Sequence, residues 1–160
     1  MPVTSASLSL KCDVVETLDN APGANTPTVT HNKYSTNITL TSAGVVPVTK
    51  VVATRLALVA GAKTIDLTTL TGTNGVAVSM TGLKLQVFKF INRGTNPMTI
   101  SQGAATAYQW GGANFSIRLY AGQELLLYGT ELNPDVSASV KHIDVAGTGT
   151  EEFEVLLLAG

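Results

Sequence analysis

The stretch that decides the fold is Leu83-Lys-Leu-Gln-Val-Phe-Lys-Phe-Ile-Asn92, in the middle of the chain. On an extended strand, its leucines and Val87 fall on one face, and Phe88 and Phe90 fall on the other. Apolar side chains on both faces predict a central strand that is covered on both sides. We expect one cover to be a second sheet, and the other to be a neighbouring subunit or an arm of the chain.

Short alternating segments surround this stretch, separated by Gly, Pro and Asn residues and without helical periodicity. We expect the following side chains to point inward: Ile65, Leu67, Phe115, Ile117, Leu119, Leu125, Leu127, Phe153, Val155 and Leu157. About nine or ten strands at 8–12-residue spacing predict an all-β fold, an antiparallel two-sheet β-sandwich that is jelly-roll-like. Thr71–Gly75 is predicted to be a hairpin turn, and Ala121-Gly122 is predicted to join two strands as a hairpin.

The beginning of the chain is predicted to form an N-terminal extended arm or added strand, so we divide the chain into residues 1–33 and a β-sandwich domain at 34–160. Residues 3–18 alternate as a half-buried strand, in which the single cysteine, Cys12, is interpreted as a small buried hydrophobe. Residues 19–33 combine Pro, Gly and Asn with few large apolar side chains, which indicates a long flexible connector. Such a connector would let the first strand join its own sandwich or reach a neighbour.

Charged residues make up 13% of the chain, against about 25% in ordinary soluble proteins. The net charge is -1, and weak charge of this kind favours association between molecules. Scattered single Lys and Arg residues argue against a nucleic-acid partner, which would need clustered cations. One cysteine excludes a disulfide scaffold, and the apolar runs are too short for a membrane helix or a signal peptide. We therefore expect synthesis in a cytoplasm and no membrane partner.

The residues that carry chemistry are few. His142 and Asp144 share one strand face, about 7 Å apart, but a metal site would need a further converging ligand. A Ser-His-Asp triad built from His142 with Asp66 or Asp144 lacks a local nucleophile turn. Glu152 and Glu154 alternate with apolar residues, as on an exposed strand face, rather than forming a glycosidase pair. We predict no catalytic residues, no cofactor and no metal, and interpret His142 and Asp144 as a polar pair on an exposed strand face.

Three aromatic residues, Tyr108, Trp110 and Phe115, are the candidate partner contacts. Tyr108 and Trp110 belong to Tyr108-Gln-Trp-Gly-Gly112, in a Gly-rich loop where three interpretations stay open. Trp110 plugs an open end of the sandwich with its N–H bonded to a loop carbonyl, or the pair contacts another subunit, or it stacks on a sugar ring.

The order of segments from about residue 60 to the end resembles a known family. A Leu-rich strand ending in Asn92 is followed by Pro97-Met-Thr-Ile100, a Gly-rich loop, Phe115-Ser-Ile-Arg-Leu119, Ala121–Tyr128 and a closing Glu-Phe-Glu-Val-Leu-Leu-Leu strand. This order, with its Thr/Ala/Gly bias, resembles the small jelly-roll virion proteins of tailed phages, of the capsid decoration or cement kind. The family offers no residue-level motif, so no functional residue is carried over.

The resemblance implies a structural virion protein that forms a homotrimer, binds the major capsid protein on the outer capsid surface and bridges capsomers. It would be made in the host cytoplasm and end in the virion. The alternative is a carbohydrate- or receptor-binding β-sandwich module of a phage tail or fibre, with Tyr108 and Trp110 as the stacking platform. A β-sandwich hydrolase ranks last, because convergent acid–base residues are missing from the pattern.

Overall fold

The computed structural model describes residues 5–10, 14–17, 28–31, 36–72, 75–129 and 132–160. All of the regular structure in these ranges is β, which confirms the predicted class. In chain order the strands are β1 (Ala6–Leu10), β2 (Val14–Thr17), β3 (Thr28–His31), β4 (Thr36–Leu40), β5 (Lys50–Ala57), β6 (Ala62–Asp66), β7 (Leu70–Thr71), β8 (Ala77–Val78), β9 (Leu85–Asn92), β10 (Met98–Gln102), β11 (Ser116–Leu119), β12 (Glu124–Tyr128), β13 (His142–Ala146) and β14 (Glu152–Ala159).

Eight of these strands form two four-stranded antiparallel sheets. Sheet I has the order β12-β9-β14-β5, and sheet II has the order β11-β10-β13-β6. Among these eight strands the pairing is nested: the first pairs with the last, the second with the seventh, the third with the sixth, and the fourth with the fifth. This is the strand order of a jelly roll, so the predicted sandwich is confirmed.

The core lies between the two sheets, where alternate residues of each strand meet. Phe90 of β9 stacks on Phe153 of β14 with ring centroids 4.9 Å apart, and both rings are fully buried. Sheet II supplies aliphatic side chains to the same cluster, including Ile100 and Val145. Burial of each such side chain contributes about 1.5–3 kcal/mol, so this layer dominates the stability of the domain.

The second face of β9 is also covered, as the sequence predicts for a central strand. Val87 of β9 and Leu158 of β14 pack in a second cluster with Leu40 of β4 and Val48. β1 pairs with β4, and side chains of both strands contact this cluster, so the β1–β4 pair lies against the outer face of sheet I. The cover is therefore built from the N-terminal part of the chain itself.

Leu85 was predicted to share the Val87 face of β9, and this prediction is wrong. Leu85 packs in the core between the sheets, not on the Val87 face, because the pairing of β9 with β14 shifts by one residue. Leu158 pairs with Val87 and Ala159 pairs with Leu85, so Gln86 is the extra residue of a β-bulge.

Two further expectations about connections are wrong. Residues 28–31 form β3, paired with β2, so the connector is not entirely a loop; Cys12 and residues 18–27 lie outside the described residues. The Ala121-Gly122 turn joins β11 of sheet II to β12 of sheet I, so it is a crossing between layers rather than a hairpin. The physical reason is that Leu119 and Leu125, on either side of the turn, both face the shared core.

A hairpin of the predicted kind does occur after β7. β7 pairs with β8, and Gly75, at the end of the predicted turn, has a positive φ of 77°. Residues 73 and 74, in the middle of that turn, lie outside the described residues.

Candidate functional site

Tyr108, the first candidate contact, lies inside the protein. Its side chain is 1% exposed, and its hydroxyl accepts a hydrogen bond from the Leu85 N–H and donates one to the Pro134 carbonyl, both at 2.9 Å. Burial raises the pKa of Tyr108 to about 12. Tyr108 therefore joins two loops to the core and presents no surface to a partner or a sugar.

Trp110 and Phe115 are half-buried and pack against the same core. The indole meets the Phe88 ring edge-on, with centroids 5.7 Å apart. A Cβ built on Gly111 would lie 2.3 Å from the Phe115 ring, so only glycine at this position allows Phe115 to pack so close to the backbone beside Trp110. Within the described part of the chain, no carbonyl accepts a hydrogen bond from the indole N–H. The packing fits the plug interpretation of Trp110, while the predicted N–H contact is not made.

The space beneath this plug is small. Side chains including Phe88, Tyr108, Trp110 and Phe115 enclose a cavity of about 10 Å³. That volume barely admits one water molecule, so a sugar ring cannot enter between the two aromatic residues. A stacking ligand would have to use the exposed part of Trp110 alone.

The polar residues singled out in the sequence form a cluster on the outer face of sheet II. His142 of β13 lies with Nε2 3.3 Å from Asp66 Oδ2, and the same oxygen accepts a hydrogen bond from Lys141 Nζ at 2.7 Å. The other oxygen, Oδ1, accepts hydrogen bonds from the backbone N–H and hydroxyl of Thr68 at 2.8 and 2.6 Å. Burial opposes ionisation, but these donors outweigh it and hold the pKa of Asp66 well below its ordinary value.

Thr106 completes a hydroxyl–imidazole–carboxylate chain with His142 and Asp66, but it is not set up as a nucleophile. Its Oγ1 lies 2.8 Å from His142 Nδ1 and 2.7 Å from the Ala105 carbonyl oxygen. The Ala105 carbonyl oxygen, which can only accept, also lies 2.9 Å from His142 Nδ1, so it competes with the imidazole for the Thr106 hydroxyl proton. The residue that the sequence paired with His142, Asp144, instead binds the Thr64 hydroxyl at 2.6 Å and the Ala104 N–H at 3.0 Å.

The hydrogen bonds of this cluster therefore hold parts of the chain together. Its hydrogen bonds fix the loop after β10 to β13 and β6, and two backbone bonds from the Lys141 and His142 N–H groups to the Thr106 carbonyl reinforce them. Among the described residues, no group of three His, Cys, Asp or Glu side chains is arranged to hold a metal ion. The Thr106–His142 contact was missed in the sequence, because a loop residue 36 positions away gives no periodic signal.

The outer face of sheet I is different, because it changes from apolar to charged along the strands. The cross-strand register places three rows on this face. The apolar row is Val51, Leu158, Val87 and Tyr128; the middle row is Ala53, Leu156, Lys89 and Leu126; the charged row is Arg55, Glu154, Ile91 and Glu124. The β1–β4 pair packs on the apolar row, and Leu126 and Leu156 of the middle row contact the same cluster. Beyond them, residues of the middle and charged rows line a groove along β5, β14 and β9.

The open part of this face forms a groove of about 420 Å³, named here the open groove. Ile91 and Leu156 contribute apolar surface, and Arg55, Lys89 and Glu154 line it with charge. Glu154 was predicted to lie on an exposed strand face, but the groove was not predicted, because it exists only where the register brings β5, β14 and β9 side by side.

Ion pairs surround the open groove. Arg55 Nη2 lies 2.6 Å from Glu154 Oε1, and Arg93 Nη2 lies 2.7 Å from the other oxygen of Glu154. Lys89 pairs with Glu124 at 2.9 Å. Hydrogen bonds from Arg55 and then Arg93 lower the pKa of Glu154, and the Arg55 pKa is raised in turn by Glu154. These pairs remain partly in water, so each contributes little to the stability of the fold.

No family model matches the chain, and neither the curated proteins nor the solved structures include a significant match. Across the described residues, none of the regular structure is a helix that could cross a membrane.

Proposed function

We propose that the protein is a structural virion protein of the decoration type, a homotrimer that binds the outer capsid surface and bridges neighbouring capsomers. The observation that carries the proposal is the outer face of sheet I. There an apolar row is already covered by the chain's own N-terminal strands, and the adjoining open groove is exposed beside it. A face that is half covered and half open suits association, in which a neighbour supplies the rest of the cover.

The physical mechanism is burial of weakly charged β-surface on a rigid sandwich. Interfaces of ordinary size bury about 800 Å² on each partner, and apolar area contributes roughly 25 cal/mol for each Å². The charges at the open groove are paired within the chain, Arg55 with Glu154 and Lys89 with Glu124, so a partner that docks there need not leave an unpaired charge buried. The jelly roll holds the face in one shape, which lowers the entropic cost of binding.

The two competing functions have less support. A sugar-binding platform at the Gly-rich loop could not use Tyr108, which is buried, and could use only the exposed part of Trp110. A hydrolase built on His142 would have a poor nucleophile in Thr106, because the Ala105 carbonyl competes with the imidazole for the hydroxyl proton. Association through sheet I requires neither of these sites.

Two measurements test the proposal together. Light scattering on the purified chain at tens of micromolar is expected to give the mass of three chains. Co-sedimentation with empty shells of the major capsid protein from the same genome is expected to bring the protein down at a fixed ratio to capsomers. Ile91→Lys in the open groove should weaken assembly or shell binding, while Ser116→Lys on the outer face of sheet II serves as the matched control. A protein that is monomeric in solution and does not co-sediment with the shells would overturn the proposal.

A further inference from the structure

We infer that β12 is a docking edge for a second copy of the chain, and that it pairs antiparallel with β12 of that copy. β12 is the outermost strand of sheet I, where its one neighbour is β9. The pairing joins two four-stranded sheets into one sheet of eight strands across a two-fold axis. This contact is additional to the proposed trimer interface and does not depend on it.

The backbone of β12 has one bonded side and one open side. Just after β12, the Gly129 N–H donates to the Gln86 carbonyl of the neighbouring chain segment at 2.6 Å. Hydrogen-bonded and non-bonded pairs alternate along an antiparallel ladder, so Leu127 and Leu125 also bond toward β9. The residues whose N–H and C=O groups point away from β9 are Glu124, Leu126 and Tyr128. None of the described residues forms a backbone hydrogen bond with these outward groups.

Of the four edge strands in the two sheets, β12 has the least protection against pairing. Natural edge strands are commonly blocked by a basic side chain, a proline or a bulge. Each of the other three edge strands, β5, β6 and β11, carries lysine or arginine: Lys50, Arg55, Lys63 and Arg118. β12 reads Glu-Leu-Leu-Leu-Tyr, with no basic residue and no proline, and its single charge is at its first position. β12 is therefore the edge best suited to an added strand.

The apolar side chains of β12 are only half-buried, although they contact both hydrophobic clusters. Leu125 and Leu127 pack against the core between the sheets, and Leu126 and Tyr128 pack against the cluster on the outer face of sheet I. All four keep exposed surface, because an edge strand has a neighbour on one side only. A strand added on the open side extends both apolar layers and covers that surface.

The sequence of β12 complements itself in the antiparallel direction, which is why the occupant is a second copy. With Leu126 on the two-fold axis, this residue opposes its equivalent in the other copy, and the leucines on either side of it oppose each other. Glu124 then opposes Tyr128, so no two like charges face each other across the junction. In this register the outward N–H and C=O groups of both copies form hydrogen-bonded pairs with each other.

The contact is small, so it is weak between free molecules. β12 has five residues, whereas an interface of ordinary size uses about 20–30 residues on each side. The pairing therefore forms in concentrated solution, or where neighbouring copies are held side by side and their effective concentration is high. At tens of micromolar, trimers stay separate.

Disulfide trapping tests the two-fold register. In a Cys12→Ser background, Leu126→Cys places two thiols opposite each other with Cα atoms about 5.5 Å apart, within the range that a disulfide spans. We expect a two-chain adduct on a non-reducing gel at hundreds of micromolar. Ala57→Cys, on the opposite edge of sheet I, is the matched control and should give none. No adduct with Leu126→Cys, or equal adducts with both variants, overturns the inference.

A proline gives a second readout that needs no thiol. The Leu126 N–H points away from β9, so Leu126→Pro removes a donor from the open side without breaking the β12–β9 ladder. It should weaken association beyond the trimer by about tenfold or more in sedimentation equilibrium. The Ala57 N–H likewise points away from β14, and Ala57→Pro should leave that association within about twofold of wild type. Thermal unfolding of both variants checks that the sandwich is intact.

The outcomes separate this contact from the proposed function. If Leu126→Pro associates like wild type, or wild type shows no association beyond the trimer at hundreds of micromolar, the β12 contact is refuted while the proposed function stands. If Leu126→Pro associates like wild type but no longer co-sediments with shells, the edge receives a strand of the capsid protein, which also refutes pairing with a second copy. A wild type that is monomeric and does not bind shells refutes the proposed function, and the Leu126→Cys adduct still decides the β12 contact.

Discussion

Replacing Gln86 by Met should make the protein more stable, although Gln86 is completely buried in the central strand. Its side chain is 0% exposed, and neither Nε2 nor Oε1 has a hydrogen-bond partner among the described residues. A buried polar group without a partner costs about 1–3 kcal/mol, because its bonds to water are lost and not replaced. Met has a similar length and volume and no such requirement, so the swap keeps the packing.

The expected gain is about 1–3 kcal/mol in the free energy of unfolding. For a chain of 160 residues, each 1 kcal/mol moves the melting temperature by about 2–4 °C, so 2 kcal/mol corresponds to about 4–8 °C. The bulge should survive the substitution, because Val87 and Leu85 on either side are held in different hydrophobic clusters. A slip of one residue would remove both from their clusters.

Urea unfolding followed by circular dichroism measures the change directly. Gln109→Met is the matched control, since Gln109 is exposed and the same substitution there should stay within about 0.5 kcal/mol. If Gln86→Met leaves the stability unchanged or lowers it by more than 1 kcal/mol, while Gln109→Met is neutral, the buried amide is satisfied and the reasoning fails.

Three further predictions concern the loops and the polar cluster. Tyr108→Phe leaves the buried Leu85 N–H without its acceptor and should lower the free energy of urea unfolding by about 1–3 kcal/mol; no loss would contradict the bridging role. The Asp66 pKa is lowered in the folded protein, so its stabilisation is present above the ordinary value of about 3.8 and is lost as pH falls through the folded value. Asp66→Asn should therefore flatten the fall of the urea midpoint between about pH 5 and pH 2 while leaving the difference constant above that range, and an unchanged slope would refute it. Gly111→Ala should displace the Phe115 ring and cost about 1–3 kcal/mol, with an altered near-ultraviolet spectrum as the readout; a wild-type spectrum would contradict it.

The sequence predicted the sandwich well because each layer leaves a local periodic signal. Phe153, Val155 and Leu157 alternate along one strand, and all three are buried as predicted. The double cover of β9 was also readable, since Val87 and Phe88 are adjacent apolar residues on opposite faces. Such signals depend on neighbours within a few residues, which the sequence contains directly.

The features that were missed depend on register or on contacts between distant residues. Tyr108 was named a candidate partner contact because it lies in a Gly-rich loop, yet its hydroxyl satisfies a backbone donor 23 residues away. The β3 strand was read as loop because Thr28–His31 contains a single valine, and its strand character comes from pairing with β2. The bulge at Gln86 is likewise set by packing on both sides of the sheet, which no local pattern encodes.

The contrast between the two outer sheet faces is the strongest physical reason to look for partners on sheet I. On sheet II, one cross-strand row consists of Ser116, Ser101, Asp144 and Thr64, and its carboxylate is held by neighbours within the chain. Water hydrates such a polar face, so the face has no need of a protein cover. On sheet I, the apolar row is covered by the β1–β4 pair, whereas the neighbouring Leu156 and Ile91 line the open groove. The gradient from apolar to charged therefore marks where the cover by the described N-terminal strands ends, and we expect a docking partner to gain most there.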